Sequence, residues 1–122
     1  MLLNFEDDRP IFMQIAEGIE DAILSGVFPE ESQIPSTTEI SVNYKINPAT
    51  ALKGINILVD DNVIYKKRGI GMFVCEGAVE VIKDKRKERF FEGFVLSLVN
   101  EAKKLGLGES EIISMIERGF KS

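Results

Sequence analysis

The chain has 122 residues, 44% of them apolar, so one main domain is expected, with room for a small second unit. It has no histidine, one cysteine (Cys75) and no apolar run long enough to span a membrane, and no signal peptide is expected. These absences argue against a disulfide framework, the usual zinc-ligand sets and a membrane partner, and a cytoplasmic protein without a cofactor is expected.

The formal charge is -5, which argues against a nucleic-acid partner only if it is spread evenly. It is not. Glu6, Asp7, Asp8, Glu17, Glu20, Asp21, Glu30 and Glu31 crowd the first 34 residues against Arg9, whereas Lys45, Lys53, Lys66, Lys67 and Arg68 outnumber Glu39, Asp60 and Asp61 between Pro35 and Cys75. Phosphate binding follows the local potential.

In chain order, Met1–Arg9 reads as a polar, extended arm. A first helix begins at Asp8-Arg9-Pro10, with Asp8 as its expected cap. Ile11, Ile15, Ile19 and Ile23 repeat at i+4, widened by Phe12, Ala16 and Ala22. Glu17, Glu20 and Asp21 are expected on the opposite, solvent-facing side, and Ser25-Gly26 is the stop. Val27–Ile34 reads as a connector whose Val27, Phe28 and Ile34 pack over the core.

Ser36-Thr37-Thr38-Glu39 spells a capping box, in which the serine oxygen satisfies a first-turn N–H and the glutamate reaches back. Ile40 and Val42 are the expected apolar contacts of this second helix, and Tyr44-Lys45-Ile46 the turn after it. Asn47 is a good N-cap, and Pro48 suits the first helical position, where a missing N–H costs nothing. Ala51, Ile55, Leu58 and Val59 then form a buried stripe, while Thr50, Lys53 and Asn56 offer donors and acceptors on the other face. After Asp60-Asp61-Asn62, Val63–Lys66 and Met72–Cys75 read as a hairpin around the basic turn Lys67-Arg68-Gly69-Ile70-Gly71. Two short helices, a tight turn and a cationic hairpin read as a winged helix-turn-helix with the third helix as its recognition helix.

Beyond Glu76-Gly77 the pattern becomes helical again. Phe91, Phe94, Val95, Leu98, Ala102 and Leu105 share a near-heptad stripe, stopped by Gly106-Leu107-Gly108. A last short helix carries Ile112, Ile113, Met115, Ile116 and Phe120. Two helices with this much apolar surface cannot cover each other, so a homodimer is expected through Phe91, Phe94, Val95, Leu98, Ile112, Met115 and Ile116. The expected organisation is therefore a mainly α chain with a small β-hairpin wing: residues 1–77 a winged helix-turn-helix domain, residues 78–122 a helical dimerisation region. The basic run Lys83, Lys85, Arg86, Lys87 and Arg89 reads as a solvated face, Cys75 as a small buried hydrophobe, and the Phe90-Phe91-Phe94 cluster as helix–helix core. With no histidine and no nucleophile constellation, an enzyme is not expected.

The segment Pro10–Val74 resembles the DNA-binding domain of GntR-type bacterial transcription regulators. Their Pro-hydrophobic-Tyr-x-Gln-Ile opening is matched by Pro10-Ile11-Phe12-Met13-Gln14-Ile15, their Leu-Pro-Ser helix start by Ile34-Pro35-Ser36, and their Gly-x-Gly-Thr-Phe-Val wing by Gly69-Ile70-Gly71-Met72-Phe73-Val74. The Asn47–Thr50 start, the Arg-Gly wing and the short C-terminal extension resemble the YtrA branch; the tail is expected to be too short for the larger ligand-binding domains of other branches. The resemblance implies a sequence-specific regulator, a repressor of a transporter operon, that binds a palindromic double-stranded operator as a homodimer. The expected DNA-contacting residues are Ser36, Thr37 and Thr38 at the second helix, Asn47, Pro48, Ala49, Thr50 and Lys53 along the recognition helix, and Lys67, Arg68, Gly69 and Gly71 in the wing. Family members usually carry arginine where Thr38 stands, and many carry one at Leu52. Those missing cations and the acidic total support an alternative, a winged-helix protein-interaction module without operator binding. No effector can be named from the residues.

Overall fold

The computed structural model describes residues 2–122; Met1, the first residue of the expected arm, lies outside them. The secondary-structure order is α1 (Ile11–Leu24), β1 (Gln33–Ile34), α2 (Thr37–Tyr44), α3 (Pro48–Asp60), β2 (Ile64–Lys67), β3 (Gly71–Val74) and α4 (Ala78–Phe90), then a π-helical turn (Phe91–Val95), α5 (Leu96–Lys104) and α6 (Glu109–Phe120). Two compact units divide it, Met1–Asp84 and Lys85–Ser122. Among the described residues no helix is long and apolar enough to cross a membrane.

In the first unit the isoleucine stripe of α1 does what its spacing requires. Ile15, Ile19 and Ile23 are buried, and Ala51, Ile55 and Leu58 of α3 meet them in one core with Ile34, Ile40, Val63, Ile64, Met72 and Val74. Ala78 and Ile82, in the first turns of α4, complete that core. The closest approach is at Gly54, in the middle of α3. A Cβ there would stand 2.8 Å from the Phe12 carbonyl oxygen and 3.1 Å from the Ile15 side chain, so only glycine lets α3 lie this tightly on α1.

Three strands form an antiparallel sheet in the order β1-β3-β2. β2 and β3 are the expected hairpin, with Ile64 opposite Val74 and Lys67 opposite Gly71. β1 was not expected: the end of the connector pairs its Gln33 with Phe73 and its Ile34 with Met72. A two-residue strand has no alternation to read, and its existence depends on the partner edge.

Several expectations are corrected. The arm is not extended: Asp7 N–H bonds to the Asn4 carbonyl, the Gln14 side chain holds Asn4 from both sides, and Leu3 packs against the core. Asp8 does not cap α1, whose N-cap is Pro10 with no side-chain bond. Glu20 is only 1% exposed, because the buried stripe of α1 widens along Ala16, Glu20 and Ile23 at i+4 and i+3. Val27 and Val42 are exposed, whereas Phe28, Ile34 and Ile40 pack on the core as expected.

One long-range contact organises the far end of the wing. Glu30 accepts hydrogen bonds from the backbone N–H groups of Gly77 (2.8 Å) and Val79 (3.1 Å), and so caps α4 from the connector. Those two bonds hold its carboxyl below the ordinary carboxylate range.

In the second unit the regular stripe is interrupted. Gly93 lies in the π turn, Ser97 donates its hydroxyl to the Gly93 carbonyl at 2.9 Å, and the rings of Phe90 and Phe94 come within 5.4 Å, tilted by 38°. A π turn holds an extra residue, so the heptad register before it is not the register after it. Ala102 is buried and Val95 and Ile112 are half-buried, whereas Phe91, Phe94, Leu98, Met115 and Ile116 are exposed within the chain. The Phe90-Phe91-Phe94 cluster is therefore not a core of the single chain. In the basic run, Lys85 and Arg86 are half-buried rather than solvated; Lys83, Lys87 and Arg89 are exposed.

Two outcomes follow. Gly54→Ala gains helix propensity, about 1 kcal/mol, but forces α1 and α3 apart at a backbone oxygen. A net loss of about 1–2 kcal/mol is expected by chemical denaturation, and an equal or raised midpoint would contradict the close packing. Glu30→Ala should destabilise the first unit at neutral pH. A carboxyl whose pKa is depressed on folding stabilises fully above its unfolded value of about 4.3, and that contribution fades as pH falls through the lower folded value. The wild-type and variant melting curves should therefore converge in acid; a difference independent of pH would show that the charge is not involved.

Candidate nucleic-acid interface

The candidate interface is built from two helix starts and one turn. Ser36 is the N-cap of α2: its Oγ accepts from Glu39 N–H at 3.0 Å, and Glu39 accepts from Ser36 N–H at 3.2 Å. The capping box fixes where α2 begins, leaving Thr37 half-buried and Thr38 exposed on its first turn.

The turn between α2 and α3 is tied from within. Ser41 is buried, donates its hydroxyl to the Ile46 carbonyl at 2.7 Å, and accepts from Ile46 N–H at its own carbonyl at 3.1 Å. Lys45 closes α2 in the left-handed conformation, φ +52°. Asn47 then caps α3, its Oδ1 accepting from Ala49 N–H at 2.8 Å, with Pro48 at the first helical position. Because Ala51, Gly54, Ile55 and Leu58 face the core, the helical period turns Pro48, Ala49, Leu52, Lys53 and Asn56 outward, with Thr50 half-buried between the two faces.

Lys53 does not wave free. Its ammonium sits 4.0 Å from the centre of the Phe12 ring, within cation–π range. Phe12 thus fixes α3 twice, through its carbonyl against Gly54 and its ring under Lys53.

The wing shows the same device. Lys67 lies 4.2 Å from the Phe73 ring and 5.9 Å from that of Tyr65, and the two rings stack on each other at 5.9 Å. The turn is closed by Ile70 N–H donating to the Lys67 carbonyl at 2.9 Å, with Gly69 at φ +77°, as a type II turn requires at its third residue. Gly71, at φ +148°, leaves room for the Gln33 amide, which donates to the Ile70 carbonyl at 3.2 Å and braces the turn from β1. Arg68 is exposed at the tip and has no ion-pair partner among the described residues.

Asn47, Pro48, Ala49, Thr50 and Lys53 therefore share the leading part of one helix, and Lys67, Arg68, Gly69 and Gly71 share one turn. Sequence reasoning missed Phe12 as the seat of Lys53 and Gln33 as the brace of the wing. In the sequence Phe12 is part of a core stripe, and only the α1–α3 packing brings its ring under Lys53. Cys75 is half-buried and its thiol is pushed above its ordinary range, first by burial and then by Glu31, which agrees with an unreactive side chain.

Residues 12–74 match the model of the bacterial regulatory proteins, gntR family. The chain is 30% identical over 116 residues to the HTH-type transcriptional regulator YhcF of Bacillus subtilis, covering 93% of each chain. It is 25% identical over 121 residues to the HTH-type transcriptional repressor YtrA of the same organism, covering 93% of this chain and 92% of that one. A crystal structure of a GntR-family transcriptional regulator from Bacteroides thetaiotaomicron superposes with a TM-score of 0.79 at 39% identity, covering 91% of this chain and 96% of that one. The braced hairpin beside a capped, outward-facing α3 is thus the winged helix-turn-helix of a known class, and the chain belongs to the GntR family of bacterial transcription regulators, with YtrA among its relatives.

Proposed function

We propose that this protein is a repressor that binds a palindromic operator as a homodimer, with α3 in the major groove and the wing tip against the adjacent backbone. The observation that carries this reading is the face of α3 from Pro48 to Asn56: it is capped, backed by the core, and exposes Pro48, Ala49, Lys53 and Asn56, with Leu52 its one large apolar group. Ala49 and Thr50 suit close contact with base edges and thymine methyls. Asn47 and Asn56 offer amides, and Lys53 and Arg68 offer charge to phosphates. Repressor function is supported by the names of relatives, among them YtrA and the repressor NagR of Bacillus subtilis. Control of a transporter operon rests on the resemblance to the YtrA branch alone.

Homodimerisation through the 78–122 region is supported by its uncovered apolar groups. Phe91, Phe94, Leu98, Met115 and Ile116 are each at least 40% exposed in the single chain, and a second copy is the economical cover for them. A two-fold dimer would set the half-sites about 34–36 Å apart, or a multiple of that.

The reading is tested first on charge. On a duplex selected by the full-length protein from a randomised pool, binding should weaken steeply with salt. Arg68→Ala should make the slope shallower by about one and leave the melting temperature unchanged. Lys67→Ala should weaken binding and also cost ~0.5–1 kcal/mol of stability, because its ammonium rests on the Phe73 ring. A protein that selects no sequence, with a flat salt dependence, would leave the protein-interaction module as the better account.

The tail is tested by sedimentation. The full chain should run as a dimer, and Phe94→Glu with Met115→Glu should give a folded monomer that still binds a half-site weakly and has lost most affinity for the palindrome. A monomeric wild type would remove the 78–122 region from the interface.

A further inference from the structure

The N-terminal segment is built more carefully than a passive arm requires. Gln14 is 5% exposed, and its side-chain amide is spent wholly on that segment: Oε1 accepts from Asn4 N–H at 2.7 Å, while Nε2 donates to the carbonyls of Asn4 (2.9 Å) and Arg9 (3.0 Å). The loop between those two anchors is tied again from inside, by Glu6 N–H on Asn4 Oδ1 at 3.0 Å and Arg9 N–H on Asp7 Oδ1 at 2.8 Å. Arg9 also pairs with Asp7 and with Glu17 of α1. Yet this closed loop leaves Phe5 67% exposed.

Phe5 is not an isolated surface aromatic. It forms one wall of a cleft of about 430 Å³ whose other walls include Phe12, Ile46, Lys45, Asn47 and Thr50. Asn47 and Thr50 belong to the leading edge of α3, and Lys53 lies over the same Phe12 ring. The cleft thus shares Asn47 and Thr50 with the proposed recognition surface and has one lysine, Lys45, in its lining.

We propose that the segment Leu3–Pro10 is a third DNA-contacting element beside α3 and the wing, with Phe5 as its contact and Gln14 as the residue that positions it. This rests on the DNA-binding reading of α3 given above. The contact is apolar. Glu6 and Asp8 are exposed in the same loop, so the segment gains nothing from approaching phosphate. A phenyl ring packs instead against the apolar groups that DNA offers, a thymine C5-methyl or the face of a deoxyribose. The hydrogen bonds of Gln14 settle the ordering of the loop before binding, which is what lets one side chain contribute usefully to affinity.

The test uses the full chain and a duplex it has selected from a randomised pool. Phe5→Ala removes mostly exposed surface, so the protein should melt close to the wild type, and affinity for the selected duplex should fall about tenfold with the salt slope unchanged. Gln14→Leu should produce a similar loss, and adding Phe5→Ala to it should cost little more, because a released loop no longer presents the ring. Replacing thymines by uracil one at a time separates the two sources. If a methyl is the partner, one position weakens the wild type and not Phe5→Ala; if a sugar is the partner, the ratio of wild type to variant stays the same at every position.

Phe5→Ala with wild-type affinity, in a protein whose Arg68→Ala variant still loses its salt-dependent contact, would overturn the third element and leave the α3 and wing reading standing. A wild type that selects no duplex would overturn both. If Gln14→Leu fails to fold, the exposed Phe5 variant and the uracil series decide alone.

Discussion

The close approach of α1 and α3 at Gly54 is the constraint on which the rest of the first unit depends. Glycine within a helix costs about 1 kcal/mol against alanine. Here it allows the Phe12 carbonyl to come where a Cβ would be only 2.8 Å away. With the helices in contact, Ala51, Ile55 and Leu58 have one way to face, and so does the opposite side of α3. The helix cannot roll without driving backbone into backbone. Which residues are exposed between Pro48 and Asn56 is therefore decided by packing on the hidden side.

Phe12 of that contact also seats a cation, and the wing repeats the device. Two of the three cations carried by the candidate interface's expected contact set rest on aromatic rings, Lys53 on Phe12 and Lys67 on Phe73. Each stays exposed while its side chain is held, so less rotamer entropy would be lost on meeting a phosphate. In a protein of formal charge -5, that holding would let few cations serve the proposed DNA contact. Arg68 differs: it stands at the tip of a turn fixed by Gly69 and braced by Gln33, so there the backbone supplies the positioning and the side chain supplies the charge.

Much of this was legible before any coordinates. The capping box at Ser36, the Asn47-Pro48 start, the stripe of α3 and the two-glycine turn are all local, each stated by a few consecutive residues. What escaped depends on partners far along the chain. Glu30 looked like one more surface acid and caps α4 nearly fifty residues away. Gln33 and Ile34 become a strand only because β3 offers an edge. Glu20 followed the polar face by periodicity and is buried because α1 is covered on a wider arc than its isoleucines alone suggest. The π turn at Gly93 broke a register that a regular helix would have kept. The arm misled for the same reason: its polar residues suggested an extended tail, and their hydrogen bonds fold it back onto Gln14.

The central claim is that α3, held by Phe12 at Gly54, presents its Pro48–Asn56 face to DNA together with the wing tip. Amide chemical shifts followed while a selected duplex is titrated into the labelled protein test this most directly. The largest changes should fall on Asn47–Lys53 and on the Lys67–Gly71 turn, while amides around Ile19 and Ile23 in the core stay in place. Changes concentrated elsewhere in the first unit, with α3 and the wing silent, would contradict the account.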